Sequence, residues 1–208
     1  MKIISHCGYW GSIKDRNTLG AFQKSLIHGF GIEVDIRDYN NTIIISHDLP
    51  DKQCDSLEDL LKIYKNINSN LSLALNIKSD GLQIILKDLL TKYKIIEYFV
   101  FDMSIPDTLR YIKHKINIFT RESEYEVTPA FYNQAQGIWA DCFSHDWIDE
   151  KKIIRHLDEG KNICLVSPEL HKRNPELFWD KLSKMSIIKN PCLMICTDYP
   201  ERVKKIFN

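Results

Sequence analysis

Short apolar runs recur along the whole chain and alternate with longer amphipathic stretches. Each run has four to eight residues and is rich in β-branched and aromatic side chains, which is typical of strands buried in a sheet. The sequence therefore predicts nine strands, at residues 2–6, 31–36, 42–47, 71–78, 98–103, 116–121, 137–143, 162–167 and 191–198.

The stretches between the runs carry apolar residues at helical spacing. The first, residues 17–29, opens with a capping residue at Asn17 or Thr18 and closes on Gly29, as helix ends commonly do. Six more helices follow the same pattern, at residues 55–66, 79–93, 105–114, 149–160, 174–185 and 199–207.

Alternation of strand and helix along the whole chain predicts an α/β fold with a mostly parallel sheet. About eight strand–helix units in 208 residues fit a compact (β/α)8 barrel. The ninth strand is explained by the short polar link at Asn40-Asn41, which is too short for a parallel crossover. We therefore predict one barrel domain over residues 1–208, with a β-hairpin after the second strand.

Composition and charge restrict the classes of partner. The chain is 44% hydrophobic and 27% charged, which indicates a globular protein, and its formal net charge is zero. A neutral total argues against nucleic acid as a partner but allows a local phosphate site. No apolar run reaches the ~18–20 residues of a membrane span, and the N-terminus lacks the apolar core of a signal peptide. We expect a cytoplasmic protein with no stable membrane anchor, and the oligomeric state stays open.

The six cysteines are scattered, and in a reducing compartment they are expected to act as small core hydrophobes. Cys192 and Cys196 are four residues apart, but no second pair at metal-binding spacing accompanies them. A zinc site at this pair is therefore not expected.

Polar residues stand near the ends of several predicted strands, where a barrel of this kind builds its active site. Residues two apart in a strand share a face. The members of two pairs, Glu33 with Asp35 and Asn76 with Lys78, should therefore point the same way. The strand-end candidates are His6, Glu33, Asp35, His47, Asn76, Lys78, Asp102, Asp141, Ser167, Glu169, Thr197 and Asp198.

This set of residue types fits phosphodiester cleavage. Glu33 and Asp35, with a third oxygen ligand, would make a hard-cation site for Mg²⁺ or Ca²⁺. His6 and His47 can serve as general acid and general base. Lys78 can neutralise an anionic substrate oxygen, so the cation and this lysine would together stabilise the charge of the transition state.

A series of short motifs, in order from residue 6 to residue 200, resembles those of the glycerophosphodiester phosphodiesterases, within the wider phospholipase C-like phosphodiesterase group. The family's His-Arg-Gly, Glu-Asn-Thr and Gly-x-x-x-Glu-x-Asp are similar to His6-Cys7-Gly8, Arg16-Asn17-Thr18 and Gly29 through Glu33-Val34-Asp35. Its Ser-His-Asp, Glu-x-Lys and Thr-Asp-Tyr-Pro are similar to Ser46-His47-Asp48, Asn76-Ile77-Lys78 and Thr197-Asp198-Tyr199-Pro200.

The resemblance implies a metal-dependent mechanism in which His6 and His47 act as the acid–base pair. Glu33 and Asp35 would be metal ligands, and Lys78 would contact the phosphate. In the family, a substrate hydroxyl next to the phosphate attacks and gives a cyclic phosphate, which water then opens.

Three departures from the family pattern affect the site. Cys7 replaces an arginine that would clamp the phosphate, and Arg37, two residues beyond Asp35, could supply a substitute charge. Asn76 replaces a carboxylate ligand; its amide oxygen can still bind a hard cation, but the site loses one negative charge. Arg16 replaces a glutamate.

The favoured prediction is a phosphodiesterase that uses Mg²⁺ or Ca²⁺ to hydrolyse a small glycerol- or polyol-phosphodiester. Its metal ligands would be Glu33, Asp35 and Asn76, and its substrate contacts Lys78, Arg37, Asp102 and Glu169. Two alternatives remain open. One is a phospholipase C-like lyase or phosphotransferase that releases a cyclic phosphate, and the other is a non-catalytic barrel that binds a phosphoester.

Overall fold

The structure is a computed structural model that describes residues 1–50, 54–67 and 70–207. Within these ranges every predicted strand and helix is present. The strands are β1 Lys2–Ser5, β2 Gly31–Tyr39, β3 Thr42–Ile45, β4 Leu73–Ile77, β5 Tyr98–Phe101, β6 Phe119–Glu122, β7 Gly137–Ala140, β8 Asn162–Val166 and β9 Leu193–Thr197. The helices are α1 Leu19–Ile27, α2 Leu57–Ile67, α3 Gln83–Lys92, α4 Ile105–Lys113, α5 Glu150–Asp158, α6 Glu176–Ser183 and α7 Pro200–Phe207.

Eight of these strands have a parallel partner. β2 pairs with β4, and β4 with β5. β6, β7, β8, β9 and β1 follow one another in a second parallel series. Because parallel strands alternate with helices along the chain, the predicted (β/α)8 class is confirmed.

The ninth strand is the predicted hairpin partner. β3 pairs antiparallel with β2, from Ile36 opposite Ile45 to Tyr39 opposite Thr42. The turn between them consists of Asn40 and Asn41, whose φ angles are 47° and 60°. Two consecutive residues at positive φ are the mark of the tight turn whose twist matches a hairpin, and asparagine tolerates this conformation better than most residues.

The chain folds into two compact units. One runs from His6 to Ile118 and contains β2 to β5 with α1 to α4. The other combines Met1–Ser5 with the chain from Phe119 onward, and contains β1 and β6 to β9 with α5 to α7. Residues 123–136, all of them described, connect β6 to β7 through turns without a helix. The predicted single domain stays a prediction.

Burial explains why the strands have few polar residues. Residues 31–36 of β2 and all of β4 are buried, as expected for strands of a parallel sheet that is covered on both faces. Against this background the carboxylates of Glu33 and Asp35 stand out, because they lie inside a buried strand. Among the described residues, no helix is long and apolar enough to cross a membrane.

Gly137 on β7 provides a test of the strand packing. A Cβ atom there would lie 2.5 Å from Cζ of Phe119 and 2.6 Å from the carbonyl oxygen of Asn162, so the substitution Gly137→Ala must displace a neighbouring strand. We expect it to lower the free energy of unfolding by about 1–3 kcal/mol in urea denaturation. Gly20→Ala is the control, because nothing lies within 4 Å of its Cβ position and alanine favours helix α1. Equal stability of the two variants would contradict this packing.

Candidate functional site

Two buried carboxylates form the centre of the site. Glu33 and Asp35 lie two residues apart on β2, and only 1% and 2% of their surfaces are exposed to solvent. The Cys7 sulfur lies 3.7 Å from Oε2 of Glu33 and 3.8 Å from Oδ2 of Asp35. The two carboxylates therefore face the same small volume inside the His6–Ile118 unit.

A tight turn at residues 6–8 brings Cys7 to these carboxylates. Cys7 and Gly8 have φ angles of 54° and 89°. A Cβ atom on Gly8 would lie 2.8 Å from Cβ of Ala21, so only glycine fits against α1 here. The turn directs the backbone N–H of Cys7 to Oε2 of Glu33, at 3.1 Å.

Asn17 holds Asp35 from the other side. Its Nδ2 donates to Oδ2 of Asp35 at 2.7 Å, and its Oδ1 accepts from the Asp35 backbone N–H at 3.3 Å. Its own backbone N–H donates to the carbonyl oxygen of Cys7 at 3.0 Å. Asn17 was not among the predicted site residues. The available signal was its place in the Arg16-Asn17-Thr18 motif.

Strand β4 supplies an amide and an ammonium group. Asn76 stands opposite Asp35 in the sheet, and its Nδ2 donates to Oε1 of Glu33 at 3.1 Å. Its Oδ1 is buried and has no hydrogen-bond partner among the described residues. Lys78 follows two residues later and places Nζ 3.2 Å from Oδ1 of Asp35.

His6 stands at the edge of this cluster. Its Nε2 is 3.9 Å from Oε2 of Glu33, and its side chain is 22% exposed, so solvent reaches the ring. The carbonyl oxygen of His6 accepts from the indole N–H of Trp10 at 3.0 Å. The guanidinium of Arg16 stacks 4.2 Å from the centre of the Trp10 ring. Arg16 therefore lies beside the segment that carries His6.

His47 lies in the segment that follows β3, with 65% of its side chain exposed. Its Nδ1 is 2.9 Å from a carboxylate oxygen of Asp48, which would fix the ring's tautomer and leave Nε2 available. Arg37 on β2 donates to the carbonyl oxygen of His47 at 3.3 Å. The guanidinium predicted as an anion contact thus holds the backbone of the histidine segment.

The other two predicted contacts have different surroundings. Asp102 follows β5, is half-buried and has a positive φ of 67°. Glu169 belongs to the unit that starts at Phe119, where its carboxylate accepts hydrogen bonds from Ser167, Thr197 and the backbone of Asp198.

The electrostatics of the cluster favour a bound cation. Burial raises the pKa of Glu33 above its ordinary value, and the charge of Asp35 raises it further. His6, the Cys7 N–H and Asn76 oppose this effect. A divalent ion between the carboxylates would relieve both the desolvation and the repulsion. Glu33, Asp35 and the unpartnered oxygen of Asn76 could serve as its oxygen ligands.

Comparisons with known proteins were made by sequence and by structure. The sequence matches no protein-family model and no curated protein. Solved structures do match. A candidate glycerophosphodiester phosphodiesterase from Galdieria sulphuraria aligns with a TM-score of 0.77 at 18% identity, covering 99% of this chain and 97% of that one.

Two further structures align over similar lengths. A glycerophosphodiester phosphodiesterase from Agrobacterium tumefaciens has a TM-score of 0.73 at 13% identity, with 99% of this chain and 98% of that chain covered. A phosphodiesterase from Oleispira antarctica, in complex with the product sn-glycerol-3-phosphate, has a TM-score of 0.71 at 12% identity, with 99% and 96% covered. The chain therefore shares its fold with these phosphodiesterase structures along nearly its whole length.

Proposed function

We propose that this chain is a divalent-metal-dependent phosphodiesterase that hydrolyses a small glycerol- or polyol-phosphodiester. One observation carries the proposal: the buried pair Glu33 and Asp35 faces the same small volume beside an imidazole and an ammonium group. Buried carboxylates are costly without a compensating cation. The shared fold with phosphodiesterase structures adds to this argument.

Glu33, Asp35 and Asn76 would hold the metal. The unpartnered, buried Oδ1 of Asn76 supports this set, because buried polar atoms nearly always have a partner. When bound, the ion would supply Lewis-acid stabilisation of charge on the phosphoryl oxygens. Lys78, already paired with Asp35, would add a second positive charge for an anionic substrate.

His6 and His47 would move the protons. His6 stands beside Glu33 and is accessible to solvent through its partly exposed ring. His47 has Nδ1 beside the Asp48 carboxylate, so its Nε2 would exchange the proton with the substrate. One imidazole would take the proton of the attacking substrate hydroxyl group, and the other would give a proton to the leaving alkoxide, which leaves a cyclic phosphate. Water would then open the cyclic phosphate with the two proton transfers reversed. Arg37 would act as a positioning residue for His47 through its backbone contact.

The proposed substrate class is a phosphodiester of glycerol or a similar polyol. The Oleispira antarctica phosphodiesterase was solved with sn-glycerol-3-phosphate as its product, and the same product is proposed for this chain. Contacts of Asp102 and Glu169 with the substrate stay predictions. The cytoplasmic location also stays a prediction.

The first test is turnover of glycerophosphodiesters and bis-(p-nitrophenyl) phosphate by chelator-treated protein, with and without Mg²⁺, Ca²⁺, Mn²⁺ or Zn²⁺. We expect metal-dependent release of the alcohol and a loss of roughly 10²–10⁴-fold in His47→Gln, since general acid–base catalysis contributes about that much. His28→Gln is the matched control, because His28 is an exposed histidine at the end of α1.

Each outcome of this assay decides between the readings. Phosphorus NMR distinguishes hydrolysis from release of a cyclic phosphate, since a persistent cyclic signal would favour the lyase alternative. If none of the phosphodiesters is turned over while the metal is still bound, the proposed substrate class would be contradicted. Full turnover in His47→Gln would contradict the role of that histidine.

Glu33 should lower the stability of the metal-free protein at neutral pH. Because the pKa of Glu33 is raised on folding, the protonated carboxyl group favours the folded state. This contribution to stability is complete below the ordinary pKa of 4.5 and is lost as pH rises through the higher pKa of the folded state. Glu33→Gln should therefore raise the Tm in chelator at pH 7, by roughly 2–4 °C for a stabilisation of ~1 kcal/mol. The difference should disappear on acidification below pH ~4.

Two comparisons complete this test. Added divalent metal should stabilise the wild-type protein and leave Glu33→Gln unchanged. Glu58→Gln should lose stability at pH 7, because hydrogen bonds from Lys92 and Tyr93 lower the pKa of Glu58. A Glu33→Gln variant no more stable than wild type at pH 7 would show that burial does not destabilise this carboxylate.

A further inference from the structure

The Cys7 thiol occupies a place that a core cysteine has no reason to occupy. Its sulfur lies 3.7 Å from an oxygen of Glu33 and 3.8 Å from an oxygen of Asp35. His6, Cys7 and Glu33 each offer one atom that could bind a metal, and these three atoms lie within 4.8 Å of one another. Apolar surroundings would suit a structural cysteine, whereas this one faces two carboxylates and an imidazole.

We propose that Cys7 is a metal ligand, and that the site therefore binds a thiophilic divalent ion such as Zn²⁺ in preference to Mg²⁺ or Ca²⁺. Cys7 would join Glu33, Asp35 and Asn76, the ligands of the proposed function. This inference rests on the metal site of the proposed function, but it does not depend on phosphodiester turnover.

The separations between the Cys7 sulfur and the two carboxylate oxygens fit a tetrahedral ion. With Zn–S near 2.3 Å and Zn–O near 2.0 Å, tetrahedral angles place sulfur and oxygen about 3.5 Å apart. The observed separations of 3.7 Å and 3.8 Å are close to this value. The ion would replace the weak contacts between the thiol and the two carboxylates, since a thiol is a poor hydrogen-bond donor.

The charges of the residues also fit. Glu33 and Asp35 carry two negative charges, whereas the Asn76 amide is neutral. A Cys7 thiolate would add a third negative charge, and its proton would be released to solvent on metal binding. Two carboxylates and one thiolate are then balanced by a divalent ion and Lys78.

An independent observation comes from Asn76. It is 8% exposed, its Nδ2 is bound to Glu33, and its buried Oδ1 has no partner in the described part of the chain. This amide oxygen provides a further donor next to Glu33. Hard cations prefer six or more oxygen ligands, whereas zinc accepts this smaller mixed set of sulfur and oxygen.

Cobalt(II) is the probe for this proposal, because it occupies zinc sites and absorbs light. Chelator-treated wild-type protein titrated with Co²⁺ should develop a sulfur-to-cobalt charge-transfer band in the near ultraviolet. Cys7→Ser should lose the band and bind Zn²⁺ at least ~10-fold more weakly. Cys192→Ser is the control, because this half-buried cysteine lies outside the site and the variant should keep the band.

A wild-type spectrum without the charge-transfer band would overturn the proposal. If Cys7→Ser does not fold, alkylation of the wild-type protein followed by mass spectrometry assigns the ligand. Zn²⁺ should protect Cys7 and leave Cys192 unchanged, and equal labelling of Cys7 with and without Zn²⁺ would contradict the proposal. Turnover with Mg²⁺ and no thiolate band would support the proposed function and contradict the Cys7 ligand. A thiolate band without turnover would support the Cys7 ligand and contradict the proposed function.

Discussion

The burial of two like charges on one strand is the constraint on which the local structure depends. Glu33 and Asp35 lie in the buried part of β2, between the aliphatic residues Ile32, Val34 and Ile36, where an uncompensated carboxylate is unfavourable. Their surroundings compensate from several directions: a backbone N–H from the turn at Cys7, an amide from Asn17 and an ammonium group from Lys78. The compensation remains partial, because the pKa of Glu33 is still raised. The same imbalance would favour a cation beside Glu33.

The fold could be predicted from the sequence because its signals are local and repeated. Each strand is a short apolar run and each helix has apolar residues at helical spacing, so the alternation is readable without knowledge of tertiary contacts. The hairpin was also readable, since Asn40-Asn41 leaves no room for a crossover. Strand ends depend on tertiary pairing: β2 continues to Tyr39, three residues beyond the predicted end, because pairing with β3 extends it.

The site was predictable only where strand geometry dictates it. The period of two residues predicted that Glu33 and Asp35 share a face, and the position near a strand end indicated Asn76. The register that sets Asn76 opposite Asp35 is seen only in the structure. The positions of Asn17 and the Cys7 thiol depend instead on residues at positive φ, and nothing in the apolar pattern reports such angles. The contact of Arg37 with the His47 carbonyl likewise depends on the pairing of the hairpin strands. The sequence showed only that Arg37 lies two residues beyond Asp35, and this spacing does not predict the contact.

The two groups of the candidate site depend on different strand pairings, and the hairpin separates them. The carboxylates are carried by β2, and altering its parallel pairing with β4 would disturb the sheet. His47 instead follows β3, whose antiparallel pairing is set by a two-residue turn. Changing the length of that turn by one residue would shift the pairing register and redirect the side chains of β3 and the segment after it. The hairpin turn can therefore change the position of His47 while the carboxylates of β2 stay where they are.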